Sequence, residues 1–254
     1  MAGRVAGKVA IVTGASRGVG RADAEILIRE GATVIMTDVN ADAGEQAAAE
    51  LGEKASFVRQ DVSDEASWQA LIAMVEKDYE RLDILVNNAA VLQMADIKTE
   101  TLEGWRRIQT INSDSIFLAM KYALPLMEKS GGGSIINMSS SSALIGMPQF
   151  AAYSASKAAV RGLTQSVAVY CHQAGNNVRC NTVHPDGIAT PMMAEISAGV
   201  PVIDQAKAQQ AGTYMSSPED VANTVLFLAS DESKNINGAA IRLDRSSTIT
   251  PPYL

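Results

Sequence analysis

Two kinds of segment alternate along the chain. Runs that are apolar at nearly every position predict strands at 9–13, 33–37, 56–60, 84–87, 134–138, 178–183 and 240–243. Between them, apolar residues recur at helical spacing and predict helices at 19–30, 41–51, 65–79, 102–129, 151–174 and 218–230. In the first of these helices Ala22 and Ile26 share a face, and Gly31 stops the run.

A strand with no polar face must be covered on both sides, and a helix after each strand supplies the cover. Right-handed crossovers then favour an α/β fold with a doubly wound, Rossmann-type parallel sheet of seven strands. Ligands of such sheets bind at the carboxyl ends of the strands, so chemistry is sought there. The 254 residues, 47% hydrophobic and 19% charged, show no repeat, linker or low-complexity stretch, which fits one domain over 1–254.

A net charge of -7 argues against a nucleic-acid surface, because phosphate binding by side chains needs a basic patch. A dinucleotide held by backbone amides stays compatible with that charge. No run approaches a membrane span, and the apolar stretch near Val9 is too short for a signal segment. Cys171 and Cys180 read as free thiols in a reducing compartment, and a cytoplasmic protein with no metal site is expected.

Gly14, Ser16, Arg17, Gly18, Val19 and Gly20 lie in the turn between the first strand and first helix. There a glycine-lined backbone and a helix N-terminus hold a pyrophosphate. The spacing is G-x-x-x-G-x-G, not the general G-x-G-x-x-G. Asp38, ending the second strand 18 residues after Gly20, is placed to accept hydrogen bonds from ribose hydroxyls and to repel a 2′-phosphate. Arg17 pulls towards that phosphate, but it can swing to solvent, so NAD is expected over NADP. The same turn also reads as G-x-S-x-G, the nucleophile elbow of hydrolases. Thirteen residues precede Gly14, leaving no earlier strand for an oxyanion loop, and His172 and His184 are the only histidines.

Tyr153 and Lys157 stand four apart at the start of a predicted helix and so share a face. A lysine ammonium beside a tyrosine favours the phenolate and is expected to lower the tyrosine's pKa towards the working range of an acid/base catalyst. Ser140, just past the fifth strand and 13 residues before Tyr153, offers a hydroxyl to a substrate oxygen.

Together with Asp61-Val62, Asn87-Asn88-Ala89-Ala90, Asn112, Tyr153-x-Ala155-Ser156-Lys157 and the segment from Pro185 to Thr190, these motifs resemble the short-chain dehydrogenase/reductase family over nearly the whole chain. The resemblance implies a catalytic tetrad. Tyr153 is its acid/base, Ser140 the donor to the substrate oxygen, Lys157 a ribose ligand that depresses the tyrosine pKa, and Asn112 the anchor of a water relay. It also implies that Asp61 and Val62 contact adenine, Asn88 the nicotinamide-side ribose and Ile188 the nicotinamide amide. A subunit interface on the two long helices, hence a homotetramer, is implied as well.

Three positions depart from the family pattern. Ala90 replaces the glycine of N-N-A-G, with crowding near the cofactor expected. Asp186 replaces the glycine after Pro185, with Gly187 expected to supply flexibility one residue late. Asp244-Arg245-Ser246 replaces D-G-G, with a differently shaped loop expected. The stretch from His184 to Met193 and this tail resemble bacterial 3β/17β-hydroxysteroid dehydrogenases. The expected substrate is therefore a small apolar molecule, a bulky cyclic secondary alcohol oxidised to its ketone. A loop near 186–215, with Met192, Met193, Ile196, Val200, Pro201, Val202 and Ile203, reads as a lid, and Met94, Leu144 and Met147 as pocket wall. The alternatives are a 3-oxoacyl or sugar-alcohol reductase and, across classes, a catalytically silent dinucleotide-binding protein.

Overall fold

The computed structural model describes residues 3–197 and 215–250. Seven parallel strands form one sheet in the order β3-β2-β1-β4-β5-β6-β7. They are β1 (Val9–Thr13), β2 (Thr33–Asp38), β3 (Ala55–Arg59), β4 (Ile84–Asn87), β5 (Gly133–Met138), β6 (Val178–Pro185) and β7 (Ala240–Leu243). β1 and β4 are buried at every position, as strands covered on both faces must be. The helices are α1 (Gly18–Arg29), α2 (Ala41–Leu51), α3 (Glu65–Tyr79), α4 (Leu102–Gln109), α5 (Ser115–Lys129), α6 (Ala151–Ala174), α7 (Pro191–Ser197) and α8 (Pro218–Ala229). No described helix is long and apolar enough to cross a membrane.

Two apolar layers sandwich the sheet. On one face Ala24 and Leu27 of α1, Ala47 of α2 and Val221 and Val225 of α8 bury Val12, Val34 and Met36. On the other, Trp68 and Val75 of α3, Ile116 and Met127 of α5 and Val160 of α6 bury Ile11, Ile35 and Ile135. The strand order reverses between β1 and β4, so their connections leave in opposite directions and open a cleft at the carboxyl edge.

The expected elements form, with ends moved by a residue or two. β6 continues to Pro185 because β7 pairs with it there, Pro185 opposite Leu243. The helix expected over 102–129 is divided: a π-helical segment, Thr110–Asp114, separates α4 from α5. Its looser turn frees carbonyls that serines take up. Ser113 Oγ donates to Gln109 O at 2.8 Å and Ser115 Oγ to Ile111 O at 2.6 Å. Asn112 sits inside this segment, completely buried. Such interruptions recur at functional sites.

Candidate active site

A cavity of about 450 Å3 opens at the carboxyl edge above the β1/β4 reversal. Gly14, Arg17, Gly18 and Val19 line it after β1, Asp38 at the end of β2, Asp61 and Val62 after β3, and Asn88 after β4. Ser140, Tyr153, Lys157 and Ile188 line it from the second half of the sheet. Ser16, Gly20 and Asn112 do not line it.

The first turn is shaped for a close backbone approach. Gly14 has φ 62°, and a Cβ there would fall 2.8 Å from Ala89 Cα. At Gly20 a Cβ would fall 2.3 Å from Gly14 O and 2.5 Å from Asn88 Nδ2. The Asn88 amide pins the turn by donating to Thr13 O and Gly14 O, both at 3.1 Å. Side chains cap the N-termini of α2, α3, α4 and α8 (Asn40, Asp64, Thr101 and Ser217), whereas none caps those of α1, α5 and α6. Of these, the first turn of α1 lines the cavity with Gly18 and Val19, and the amides of an uncapped first turn suit a pyrophosphate.

Asp38 is held in place by its own neighbours in the turn. Its Oδ2 accepts from Ser16 Oγ at 2.7 Å and from Ser16 N at 3.2 Å, and its Oδ1 from Asn40 N at 3.1 Å. This is also where the hydrolase reading ends, because the Ser16 hydroxyl is spent on a carboxylate and has no histidine beside it. His184 is buried between Thr182 Oγ1 and Ser140 O, and His172 sits in the last turn of α6. Arg17 is paired with Glu195 of α7 at 2.6 Å. Asp61 is held in a turn by Ser63, and the Trp68 indole donates to Val62 O at 2.9 Å. Gln60 was not anticipated. It lines the cavity, is 2% exposed, and neither atom of its amide has a hydrogen-bond partner. A buried amide in that condition fits a polar heteroaromatic ligand beside it.

At the second half, Ser139 and Ser140 part company. Ser139 Oγ turns inward and donates to Lys157 O at 2.9 Å, while Ser140 caps a 3₁₀ turn, Ser141–Ala143, and hydrogen-bonds the Tyr153 side chain. Lys157, 1% exposed, donates from Nζ to Met138 O at 2.8 Å, and its Nζ lies 5.6 Å from the Tyr153 ring centroid. The expected depression of the tyrosine pKa is absent. Desolvation pushes the Tyr153 phenol up to about 12, the Ser140 hydrogen bond opposing it weakly, and brings Lys157 down to about 8. Burial therefore outweighs the attraction between ammonium and phenolate.

Asn112 works as a crosslink. Its Oδ1 accepts from Val91 N at 2.8 Å, and its Nδ2 donates to Val91 O at 2.9 Å and Ser156 Oγ at 3.2 Å. The Ser156 hydroxyl in turn donates to Tyr153 O at 2.7 Å. The π segment is thus tied to the first turn of α6, which carries Tyr153.

Of the departures from the family pattern, the one at Gly187 behaves differently from expectation. Ala90 lines the cavity without a left-handed backbone, and Asp186 and Gly187 are not left-handed either, so Gly187 supplies no special freedom. Arg245 and Ser246 take left-handed φ values, 45° and 71°, conformations more usual for glycine. Met192 lines the cavity, while Met94, Leu144 and Met147 lie outside it. Of the expected lid, Val200, Pro201, Val202 and Ile203 lie outside the described residues, as does the Ile196 side chain.

A sequence profile for the family described as enoyl-(acyl carrier protein) reductase matches residues 14–246. A 3β-hydroxysteroid dehydrogenase of Comamonas testosteroni is 46% identical, the alignment covering 97% of this chain and 98% of that one. An NADP-dependent (R)-specific alcohol dehydrogenase of Lentilactobacillus kefiri is 38% identical over 98% and 99%. A crystal structure assigned to the short-chain dehydrogenases/reductases, from Burkholderia xenovorans, superposes with a TM-score of 0.92 at 34% identity, covering 98% of this chain and all of that one.

Proposed function

Because the chain belongs to the short-chain dehydrogenase/reductase family and is an alcohol dehydrogenase/reductase of secondary alcohols, we propose that it oxidises a bulky cyclic alcohol such as a hydroxysteroid, using NAD. The observation that carries the cofactor choice is Asp38. Its carboxylate is fixed by Ser16 and Asn40 with lone pairs to spare for ribose hydroxyls, and a 2′-phosphate at that point would meet a like charge. Arg17, the cation that would favour such a phosphate, is engaged by Glu195. The substrate class is supported by the hydroxysteroid-dehydrogenase relative and by the apolar side chains Val91, Ile188 and Met192 in the cavity wall.

The bound dinucleotide supplies the hydride acceptor. Gly14, Gly18 and Val19 with the α1 amides would hold its pyrophosphate, Asp38 a ribose, and Asp61, Val62 and the unpartnered Gln60 amide its adenine; Asn88 and Ile188 belong to the nicotinamide side. On the substrate, Ser140 donates a hydrogen bond to the oxygen and Tyr153, as the phenolate, takes the hydroxyl proton as the carbonyl forms, or as the phenol returns it in the reverse direction. Lys157 adds positive charge beneath the phenol and has donors left for a ribose hydroxyl. Asn112 holds the helix turn that presents Tyr153.

Initial rates followed at 340 nm with both cofactors test this reading. We expect kcat/KM to favour NAD+ over NADP+ by about tenfold or more, the scale of one repulsive contact, with turnover of hydroxysteroids and cycloalkanols. Preference for NADP+, or turnover confined to acyl-thioester ketones, overturns it. We also propose a tetramer formed through the long helices, on which Phe117 of α5 and Val169 and Tyr170 of α6 stand half exposed. Light scattering should give the mass of four chains, and a monomer mass refutes the assembly.

A further inference from the structure

β6 overhangs β5. Met138, the last residue of β5, pairs with Val183, and the residues of β6 beyond that point pair only with β7. Two side chains reach back from this overhang to the serine loop. His184 Nδ1 lies 2.9 Å from Ser140 O, and Asp186 Oδ1 accepts a hydrogen bond from the buried Ser141 hydroxyl at 2.8 Å. Ser140 is therefore fixed at its own carbonyl and again through the residue that follows it.

The second oxygen of Asp186 faces the other way. Oδ2 accepts from Ser247 Oγ at 2.6 Å, and the Asp186 amide donates to Leu243 O at 3.1 Å. The tail beyond Leu243 carries Arg245 and Ser246 in successive left-handed conformations, which side-chain-bearing residues seldom adopt. It holds that shape because Asp244 Oδ1 accepts from Ser246 N at 3.0 Å, Asp244 Oδ2 accepts from the Thr248 hydroxyl, and Ser247 N donates to Asp244 O at 2.8 Å. Strain over-determined by its surroundings is characteristic of ligand clamps. Asp186 itself lines the cavity beside Pro185 and Ile188. One carboxylate thus joins the serine loop, the cavity wall and the strained tail.

We propose that Asp186 is a positioning residue for the reaction, fixing Ser140 through Ser141 while its bond to Ser247 anchors the carboxylate against the tail behind the cavity wall. The inference rests on Ser140 being the donor to the substrate oxygen. A carboxylate suits the task because both hydroxyls can donate to it at once, with no donor of its own to be satisfied. Asparagine keeps the shape and lets one serine hydroxyl reverse its direction; alanine abandons both contacts.

The test is steady-state kinetics with a 3β-hydroxysteroid and NAD+. Asp186→Ala should lower kcat by about 10- to 100-fold, the scale of a misplaced catalytic group, with the KM for NAD+ unchanged. Ser141→Ala should reproduce that loss of kcat, the double variant losing no more than Asp186→Ala alone. Asp186→Asn should restore most of the rate, and Ser247→Ala, which leaves the Ser141 contact in place, should lower kcat by less than Asp186→Ala does. Full activity in Asp186→Ala, or losses at Asp186 and Ser141 that multiply, overturns the proposal. If Asp186→Ala does not fold, a wild-type kcat in Ser141→Ala overturns it equally. Ser140→Ala separates the two levels: if it retains full kcat, the role assigned to Ser140 fails, whereas a loss there with none at Asp186 sinks only the positioning role.

Discussion

Tyr153→Phe is expected to lower kcat for alcohol oxidation by about 10²–10⁴-fold, the usual worth of a positioned acid/base group. The substitution removes one oxygen and leaves the ring in place, so the contact with Lys157 survives and NAD+ affinity, measured by titration calorimetry, should hold. A residual rate above about a tenth of wild type would exclude Tyr153 as the group that moves the proton. The pH dependence follows from the site. Burial raises the phenol to about 12 and lowers Lys157 to about 8, so oxidation, which needs a proton acceptor, should accelerate as pH rises while ketone reduction slows. The apparent pKa belongs to the coupled pair. It should shift in Lys157→Met and vanish from the profile of whatever activity Tyr153→Phe retains.

Asp23→Ala is expected to stabilise the protein by about 1–3 kcal/mol, the penalty of leaving buried polar atoms unpaired, read as a higher urea midpoint. Asp23 is completely buried on α1 among Val19, Gly20, Ala24 and Leu27, and neither carboxyl oxygen has a hydrogen-bond partner. Desolvation raises its pKa well above the usual value. The sign of the pH effect follows. With a folded pKa above the unfolded one, unfolding releases a proton, so this group's contribution is full below about pH 4 and is lost as pH rises through the folded pKa. Asp23→Asn cannot ionise and should remove that slope while keeping unpaired polar atoms, so its gain should be confined to higher pH. A wild-type stability profile identical in slope to that of Asp23→Asn would show that Asp23 does not titrate in this way.

Several features of the site were legible only as types. Asp23 interrupts an otherwise apolar helix face, and that break in the pattern was a readable signal. Asp186 stood out as a departure, but its partners could not be inferred, because Ser141 lies in a serine-rich run and Ser247 is 61 residues away. Gln60 carried no signal at all: a glutamine at a strand end is ordinarily solvated, and only burial without partners marks it. The methionines expected around the substrate show the converse. Met192 reaches the cavity while Met94 and Met147 do not, since loop paths follow packing and not the period of the sequence.

The alternation of apolar runs and helical spacing determined by itself the strands, the helices and the parallel order of their succession, because burial on both faces leaves a strand no other pattern. Motif spacing likewise placed the glycine turn, Asp38, Ser140, Tyr153 and Lys157 at one edge of the sheet. Tertiary structure decided the rest. It divided the helix at Asn112, since α and π turns share one hydrophobic pattern and the choice lay with cross-chain bonds to Val91 and Ser156. It also set the resting charge balance of Tyr153 and Lys157, because a pKa depends on the water excluded around a group, and that is known only once the walls are in place.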